Sequence, residues 1–177
     1  MKTSLLPHTK LSRFIEEPMF SIGKLFSWIW LALMATIFLN VVLRYGFSEG
    51  RIELEELQWH LYSIGFLFGL SYTFLEDKHI RVDVLHEKFS PNLQAWVELY
   101  GLLLFLMPFL LLIMFFSVPF VASSYELSEI SPSPGGLPFR WIIKSSLLIG
   151  FLMLFIATLS RISRIWSFLF LDSNNAR

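Results

Sequence analysis

The ionisable side chains of this sequence lie mainly between its apolar segments, and this placement limits the chemistry that the chain can perform. An ion-coupled carrier normally holds an ionisable group near the bilayer midplane, because coupling ions and substrates bind there. None of the 14 acidic side chains falls inside an apolar segment. The pattern therefore argues against the first alternative function, a small autonomous ion-coupled transporter or exporter.

Histidine and cysteine positions bear on a second alternative, the membrane-anchor subunit of a redox complex. Haem in such an anchor is held by paired axial ligands from facing helices. His60 lies in an apolar segment, whereas the other histidines, His8, His79 and His86, lie outside these segments. The absence of cysteine excludes thiolate nucleophiles and cysteine metal ligands. We therefore predict no catalytic residue, metal or cofactor, and a chain that is not an enzyme.

The charged residues beside the second and fourth apolar segments form the most informative pattern. Glu55 and Glu56 precede the second segment, where a helix dipole favours negative charge, so a local structural role explains them. Arg140 and Lys144 share one face of the first turns of the fourth segment, where the same dipole disfavours cations. We therefore expect anionic partners for these two cations.

The sequence leaves the source of those anionic partners open. They are lipid phosphates, Glu126 or Glu129, the Glu55 and Glu56 pair, or another subunit. The run at 131–138, which precedes the two cations, is too rich in turn-forming residues to continue a helix. Contacts with another subunit or a binding protein are predicted at Arg44, Glu49, Arg51, Glu55, Glu56, Arg140 and Lys144.

The composition excludes an ordinary water-soluble fold. Hydrophobic residues make up 55% of the chain and charged residues 16%, whereas about 25% of residues are charged in soluble domains. Basic and acidic residues are equal in number, so the chain has no net charge with which to bind nucleic acid. The sequence therefore indicates an integral membrane protein, formed as one domain over residues 1–177.

Four apolar segments are long enough to cross a bilayer as helices. A segment of 19 residues spans about 28 Å at about 1.5 Å per residue, close to a hydrocarbon core of about 30 Å. In the second segment Gly65 and Gly69 are spaced for close helix packing, and in the third Pro108 and Pro119 offer places to bend. The predicted spans are residues 25–43, 57–75, 99–125 and 142–160.

Two amphipathic stretches precede predicted spans. In residues 9–24 apolar side chains recur at helical spacing with polar ones between them, Glu16 included, and Pro18 is expected to break this arm. In a possible second arm, residues 90–98, Ser90 is a predicted N-cap and Pro91 the first helical residue. We expect both arms to lie on the cytoplasmic membrane surface. The alternative is that they simply extend the spans.

Basic residues are distributed unequally between the two sides of the predicted spans, and such residues accumulate on the cytoplasmic side. Ten lie in the N-terminal tail, the second interspan loop and the C-terminal segment: Lys2, Lys10, Arg13, Lys24, Lys78, Arg81, Lys88, Arg161, Arg164 and Arg177. Four lie in the first and third loops: Arg44, Arg51, Arg140 and Lys144. We therefore predict an all-α membrane protein with four membrane helices and both termini cytoplasmic.

Four short segments, in this order and at this spacing, carry a resemblance to a known family. They are NVVLRY at 40–45, ELQWH at 56–60, EDKHIRVD at 76–83 and GGLPFRWIIK at 135–144. Together with the predicted spans, they make residues 20–165 resemble the small, DctQ-like membrane subunit of tripartite ATP-independent periplasmic (TRAP) transporters.

The resemblance implies partners and a role. The partners would be a large DctM-like membrane subunit, which carries the substrate and sodium sites, and a periplasmic DctP-like binding protein, in addition to membrane lipids. The complex would import an organic acid on the sodium gradient through an elevator-type motion of the large subunit. The small subunit would widen the stationary scaffold and contribute docking surface. A stationary scaffold needs no coupling carboxylate, which agrees with the placement of the charges.

Overall fold

A computed structural model describes residues 6–79 and 89–171, and all regular structure in these ranges is helical. The helices are α1 (Lys10–Phe26), α2 (Trp28–Gly46), α3 (Ile52–Leu75), α4 (Pro91–Gly101), α5 (Met107–Glu126) and α6 (Arg140–Trp166). A π-helical turn, Leu102–Leu106, joins α4 to α5, and another, Ser167–Leu171, follows α6. Outside the described ranges lie Lys2, Arg81, His86, Lys88, Arg177 and the end of the motif at 76–83.

The first arm helix, α1, begins with a capping box formed by Thr9 and Ser12. The Thr9 hydroxyl accepts the Ser12 N–H at 3.0 Å, and the Ser12 hydroxyl accepts the Thr9 N–H at 3.1 Å. The helix continues through Pro18, so the predicted break there is wrong. Because proline has no N–H, the Phe14 carbonyl loses its helical hydrogen-bond donor. Phe14 and Pro18 are both exposed, so this carbonyl can bond to solvent or to lipid headgroups instead.

The second arm helix, α4, is continuous with the helix that follows it. The predicted N-cap is confirmed, because the Ser90 hydroxyl accepts the Leu93 N–H at 3.4 Å and Pro91 is the first helical residue. The π-helical turn ends just before Pro108, where it accommodates a residue that has no N–H to donate. Beyond it, α5 runs through Pro119 without interruption.

Three helices in the described ranges are long and apolar enough to cross a membrane, judged by length and composition: Lys10–Gly46, Pro91–Glu126 and Arg140–Leu171. They contain the predicted spans 25–43, 99–125 and 142–160. Residues 57–75 are helical within α3, but α3 is outside this set. Its charged first turn and polar residues such as Gln58, Ser71 and Thr73 lower its hydropathy.

The helix α6 is central to the described bundle, because α1, α3, α4 and α5 all pack against it. Gly150 allows α3 to approach α6, since a Cβ there would lie 2.8 Å from the Leu67 Cβ. Gly65 allows a similar approach of α3 to α2, since a Cβ there would lie 3.3 Å from the Trp30 ring. Gly69, in contrast, faces open space in the part of the chain that the structure describes. Of the two glycines predicted to mediate close packing, Gly65 does so within this chain.

The two ends of the bundle take their names from the segments they contain. The arm end comprises α1, α4, the start of the loop after α3, and the last turns of α6. The loop end comprises the loops at 47–51 and 127–139 together with the helix ends that they join. Two clusters of buried hydrophobic residues lie toward the arm end, one around Ala95 and Ile165 and the other around Met19 and Ala157.

Candidate interaction site

At the loop end, Glu56 fastens the 127–139 loop to the first turns of α3. Its carboxylate accepts a hydrogen bond from the Ser131 hydroxyl and another, of 2.7 Å, from the Leu137 N–H. These two hydrogen bonds, the first with the larger effect, lower the pKa of Glu56 below its ordinary value. A carboxylate near a helix N-terminus therefore also organises a loop that is 75 residues away in sequence.

The Gly135 and Gly136 pair makes this fastening sterically possible. Gly135 has a φ of +79°, a left-handed conformation that glycine adopts without a Cβ clash. A Cβ at Gly136 would overlap the Ser131 side chain and would lie 2.9 Å from a carboxylate oxygen of Glu56. The loop motif GGLP thus supplies one special backbone conformation, at Gly135, and one close approach to Glu56, at Gly136.

Arg140 and Lys144 share Glu129 as their anionic partner. Lys144 Nζ donates to Glu129 Oε2, and Arg140 Nε lies 3.6 Å from Glu129 Oε1. The hydrogen bond from Lys144 is the main reason that the pKa of Glu129 is lowered. Lys144 also lies 4.2 Å from the centre of the Phe120 ring, a cation–π distance. The sequence left several anionic partners open for Arg140 and Lys144, and the structure shows Glu129 in that role.

The remaining predicted contacts form short-range pairs on the surface of the loop end. Arg44 pairs with Glu55 between α2 and α3, and Arg51 pairs with Glu49 at 3.1 Å within the loop. These side chains are roughly half exposed. The seven predicted residues therefore lie at one end of the molecule, but in separate groups of contacts rather than in one cluster. Their contact with a partner protein stays a prediction.

At the arm end, the structure places a buried ionic network that the sequence did not predict. Arg164 Nη1 lies 3.3 Å from Glu16 Oε1, and the Ser160 hydroxyl donates to the same oxygen at 2.7 Å. Arg161 Nε donates to Glu98 at 2.7 Å and its Nη2 lies 3.5 Å from Asp77. We call Glu16, Asp77, Glu98, Arg161 and Arg164 the arm-end network.

The arm-end network connects both arms and the N-terminal segment to α6. Glu16 belongs to α1, Glu98 to α4, and Asp77 to the residues after α3, while both arginines belong to α6. Arg164 Nη2 also donates to the Leu6 carbonyl at 2.9 Å, and Leu6 is buried among apolar side chains of α4 and α6. The network therefore fixes four separate parts of the chain against one helix.

The sequence contained a signal for this network. Arg161 and Arg164 are three residues apart, so they share a helix face, although their position after the fourth predicted span indicated only basic residues of a cytoplasmic segment. The amphipathic pattern of residues 9–24 places Glu16 among the polar residues that lie between the apolar side chains of α1, and so predicts it on the polar face. That expectation is wrong, because Glu16 is 7% exposed and Ser12 beside it on the same face is fully buried. The buried face of α1 is thus partly polar, since α6 supplies an arginine to it.

Comparisons with known proteins agree with this architecture. Residues 33–168 match the family described as tripartite ATP-independent periplasmic transporters, DctQ component. A TRAP transporter small permease protein of Haemophilus influenzae is 33% identical over 125 residues, which cover 70% of this chain and 78% of that protein. The matched residues include α3, α4, α5, α6 and most of α2. The chain is therefore a multi-pass membrane protein of the DctQ family, the small permease component of TRAP transporters.

Proposed function

We propose that this chain is the non-catalytic small subunit of a sodium-coupled TRAP transporter that imports an organic acid. It enlarges the stationary scaffold beside a large elevator-type subunit, and its loop end contributes docking surface for a periplasmic binding protein. The observation that carries this proposal is the separation of charge. The ionic groups of the described residues lie at the two ends of the bundle, and the predicted spans between them hold no carboxylate.

The proposal includes a fourth membrane span and an orientation. α3 packs between α2 and α6, both of which belong to long apolar helices, so residues 57–75 would cross the membrane within the bundle. A span shielded on two sides by other helices can carry more polar side chains than one surrounded by lipid. With both termini in the cytoplasm of a bacterial cell, the arm end lies at the cytoplasmic face of the inner membrane and the loop end at the periplasmic face.

The arms have a specific role in this scheme. The network fastens α1 and α4 to α6, and many large apolar side chains of the chain remain exposed, among them Phe14 at 80%. An amphipathic helix that is fixed to a bundle and exposes apolar residues is suited to lie in the membrane interface. Two such arms would resist tilting of the scaffold while the large subunit moves its substrate.

Reconstitution into liposomes tests the functional division. The purified chain alone should neither take up an organic acid nor dissipate a sodium gradient, because it offers no midplane coupling group. Uptake should appear when the large subunit and the binding protein are added. Sodium-coupled uptake by this chain alone would refute the scaffold role and support the alternative function, an autonomous ion-coupled transporter.

Cysteine labelling in intact cells tests the orientation, and the chain has no native cysteine to interfere. A cysteine replacing Ser48, in the loop between α2 and α3, should react with a membrane-impermeant maleimide. A cysteine replacing Ser90, at the start of α4, should react after the cells are opened. The reverse pattern would show that the arm end faces the periplasm.

A further inference from the structure

A groove of about 520 Å³ lies beside the junction of α1 and α2 at Ser27, with α3 forming its opposite wall. This volume falls in the range of about 300–1,000 Å³ that is typical of ligand pockets. Phe26 and Trp30 line one side, and the other side follows α3 from Gly65 to Thr73. At about 1.5 Å per residue, that wall extends for about 12 Å along the helix.

The polar groups on the groove wall already have partners in this chain. The Ser27 hydroxyl donates to the Gly23 and Lys24 carbonyls at 3.0 and 2.9 Å, and the Thr73 hydroxyl donates to the Gly69 carbonyl at 2.8 Å. A hydrocarbon in the groove would therefore leave these hydroxyls hydrogen-bonded. The groove is suited to an apolar occupant that requires no hydrogen bond from its walls.

Gly69 shows that the described residues of this chain leave part of α3 uncovered. A Cβ at Gly23 would overlap the Tyr72 ring, so this glycine is needed for the contact between α1 and α3. Among the described residues, a Cβ at Gly69 would meet no atom within 4 Å beyond the adjoining backbone of α3 itself. Glycine inside a helix is destabilising relative to alanine, and internal packing does not account for it here. The space over Gly69 is therefore available to another molecule.

The arm-end mouth of the groove carries a cation. Lys78 and His79 line it, and the Lys78 side chain is 69% exposed. Its ammonium lies 2.6 Å from Glu76, and an ammonium has three N–H donors, so it retains capacity for another oxygen ligand. An apolar channel that ends at an exposed cation has the polarity of a phospholipid, with the acyl chain inside and the phosphate at the mouth.

We propose that this groove binds one membrane phospholipid of the arm-end leaflet. Its acyl chain lies against α3 between Gly65 and Thr73, and its phosphate accepts a hydrogen bond from Lys78. The site deepens the proposed function by assigning a place to one lipid partner, and it rests on the membrane placement of α3. It does not depend on assembly with the other two transporter proteins.

Native mass spectrometry of the full-length chain in detergent tests this site, with phosphatidylglycerol as the probe. The wild-type protein should bind one lipid saturably, and Gly69→Leu should abolish that binding by filling the groove. Gly101→Leu is the matched control: it also adds leucine to a helix where a Cβ has no neighbour within 4 Å, but away from the groove. Both variants should retain wild-type helicity by circular dichroism.

The headgroup assignment has its own comparison. Diacylglycerol with the same acyl chains should bind about tenfold more weakly than phosphatidylglycerol, because it lacks the acceptor for a charge-assisted hydrogen bond. Lys78→Gln should remove most of this difference. An unchanged preference in Lys78→Gln would overturn the placement of the phosphate.

Photocrosslinking of the wild-type protein provides a test that does not require a folded variant. Phosphatidylglycerol with a diazirine on its acyl chain should label the peptides containing residues 23–30 and 65–73. Labelling elsewhere, or full lipid binding by folded Gly69→Leu, would overturn the site. If Gly69→Leu instead prevents recovery of the large subunit while lipid binding is unchanged, the groove is a subunit contact. Failure of transport by the assembled complex would contradict the proposed function but leave lipid binding by the purified chain intact.

Discussion

At the arm end the side chains of Arg161 and Arg164 are 5% and 3% exposed, whereas at the loop end those of Arg44 and Arg51 are 46% and 57% exposed. The arm-end arginines meet carboxylates contributed by distant parts of the chain. Arg51 meets a carboxylate two residues away. A buried charge that loses its partner is strongly destabilising, while an exposed pair contributes little. The arm-end charges therefore stabilise the fold, whereas the exposed loop-end pairs of Arg44 and Arg51 are free to exchange partners.

This difference suits the two ends to the tasks that we propose for them, docking at the loop end and a stationary scaffold at the arm end. A docking surface must release and regain contacts, which exposed ion pairs allow because water can replace a lost partner. A scaffold that stays still while a neighbour moves needs the opposite property. The arm-end network supplies it by joining two arms and the N-terminal segment to α6.

The largest effect is expected from Arg164→Met. This change leaves Glu16 buried without its guanidinium partner and removes the hydrogen bond to the Leu6 carbonyl, so we expect a loss of about 3–5 kcal/mol of unfolding free energy. Chemical denaturation in detergent micelles, followed by circular dichroism, measures it. Arg51→Met makes the same chemical change at an exposed pair and should cost at most about 1 kcal/mol. Equal losses of unfolding free energy in the two variants would contradict the claim that the arm-end arginine contributes more to stability than the loop-end one.

A smaller, local effect is expected from Glu56→Ala. The change removes the acceptor for the Ser131 hydroxyl and the Leu137 N–H, so the 127–139 loop should open while the helices remain folded. A cysteine at half-buried Ser133 should then react faster with a maleimide. Glu55→Ala is the control, because its carboxylate pairs with Arg44 instead. Unchanged reactivity in Glu56→Ala would show that the loop does not depend on this carboxylate.

The same loop should respond to pH in a defined direction. The pKa of Glu56 is lowered in the folded chain from its ordinary value of 4.5, so the ionised form favours the fastened loop. This contribution is complete above about pH 4.5 and is lost as the pH falls through the lower folded pKa. Reactivity of the Ser133→Cys probe, measured with a reagent whose own rate is corrected for pH, should therefore rise below about pH 4.5. In Glu56→Ala it should lack this rise.

The sequence was informative wherever the cause of a structure is local. The lengths of the apolar segments predicted the three long apolar helices of the described residues. Ser90 and Pro91 predicted where α4 begins. The run at 131–138 was correctly interpreted as a loop, because Gly and Pro act on their own backbone. The predicted break at Pro18 is wrong because Pro18 lies on an exposed helix face, which leaves the unpaired Phe14 carbonyl accessible.

Local sequence patterns did not predict the contacts between residues that are distant in the chain. The Glu16 and Arg164 pair is separated by 148 residues, and the Glu56 and Leu137 pair by 81. Side-chain type alone gives no indication of which arginine meets which carboxylate. The sequence correctly raised Glu129 as one partner of Arg140, since only a turn-rich loop separates the two residues. It could not rank this partner against lipid or another subunit.

The most direct test of the central claim is charge reversal at Arg140 in the assembled transporter. Recovery of the large subunit, affinity for the binding protein, and substrate uptake are measured separately, with Arg140→Lys as the charge-preserving control that lacks the planar guanidinium. If the loop end is the docking surface, Arg140→Glu should weaken subunit recovery or binding-protein affinity by like-charge repulsion, and a compensating reversal on the partner should partly restore it. Unchanged recovery and affinity, together with a sharply raised KM for substrate, would contradict the docking role and place Arg140 in the path of the substrate.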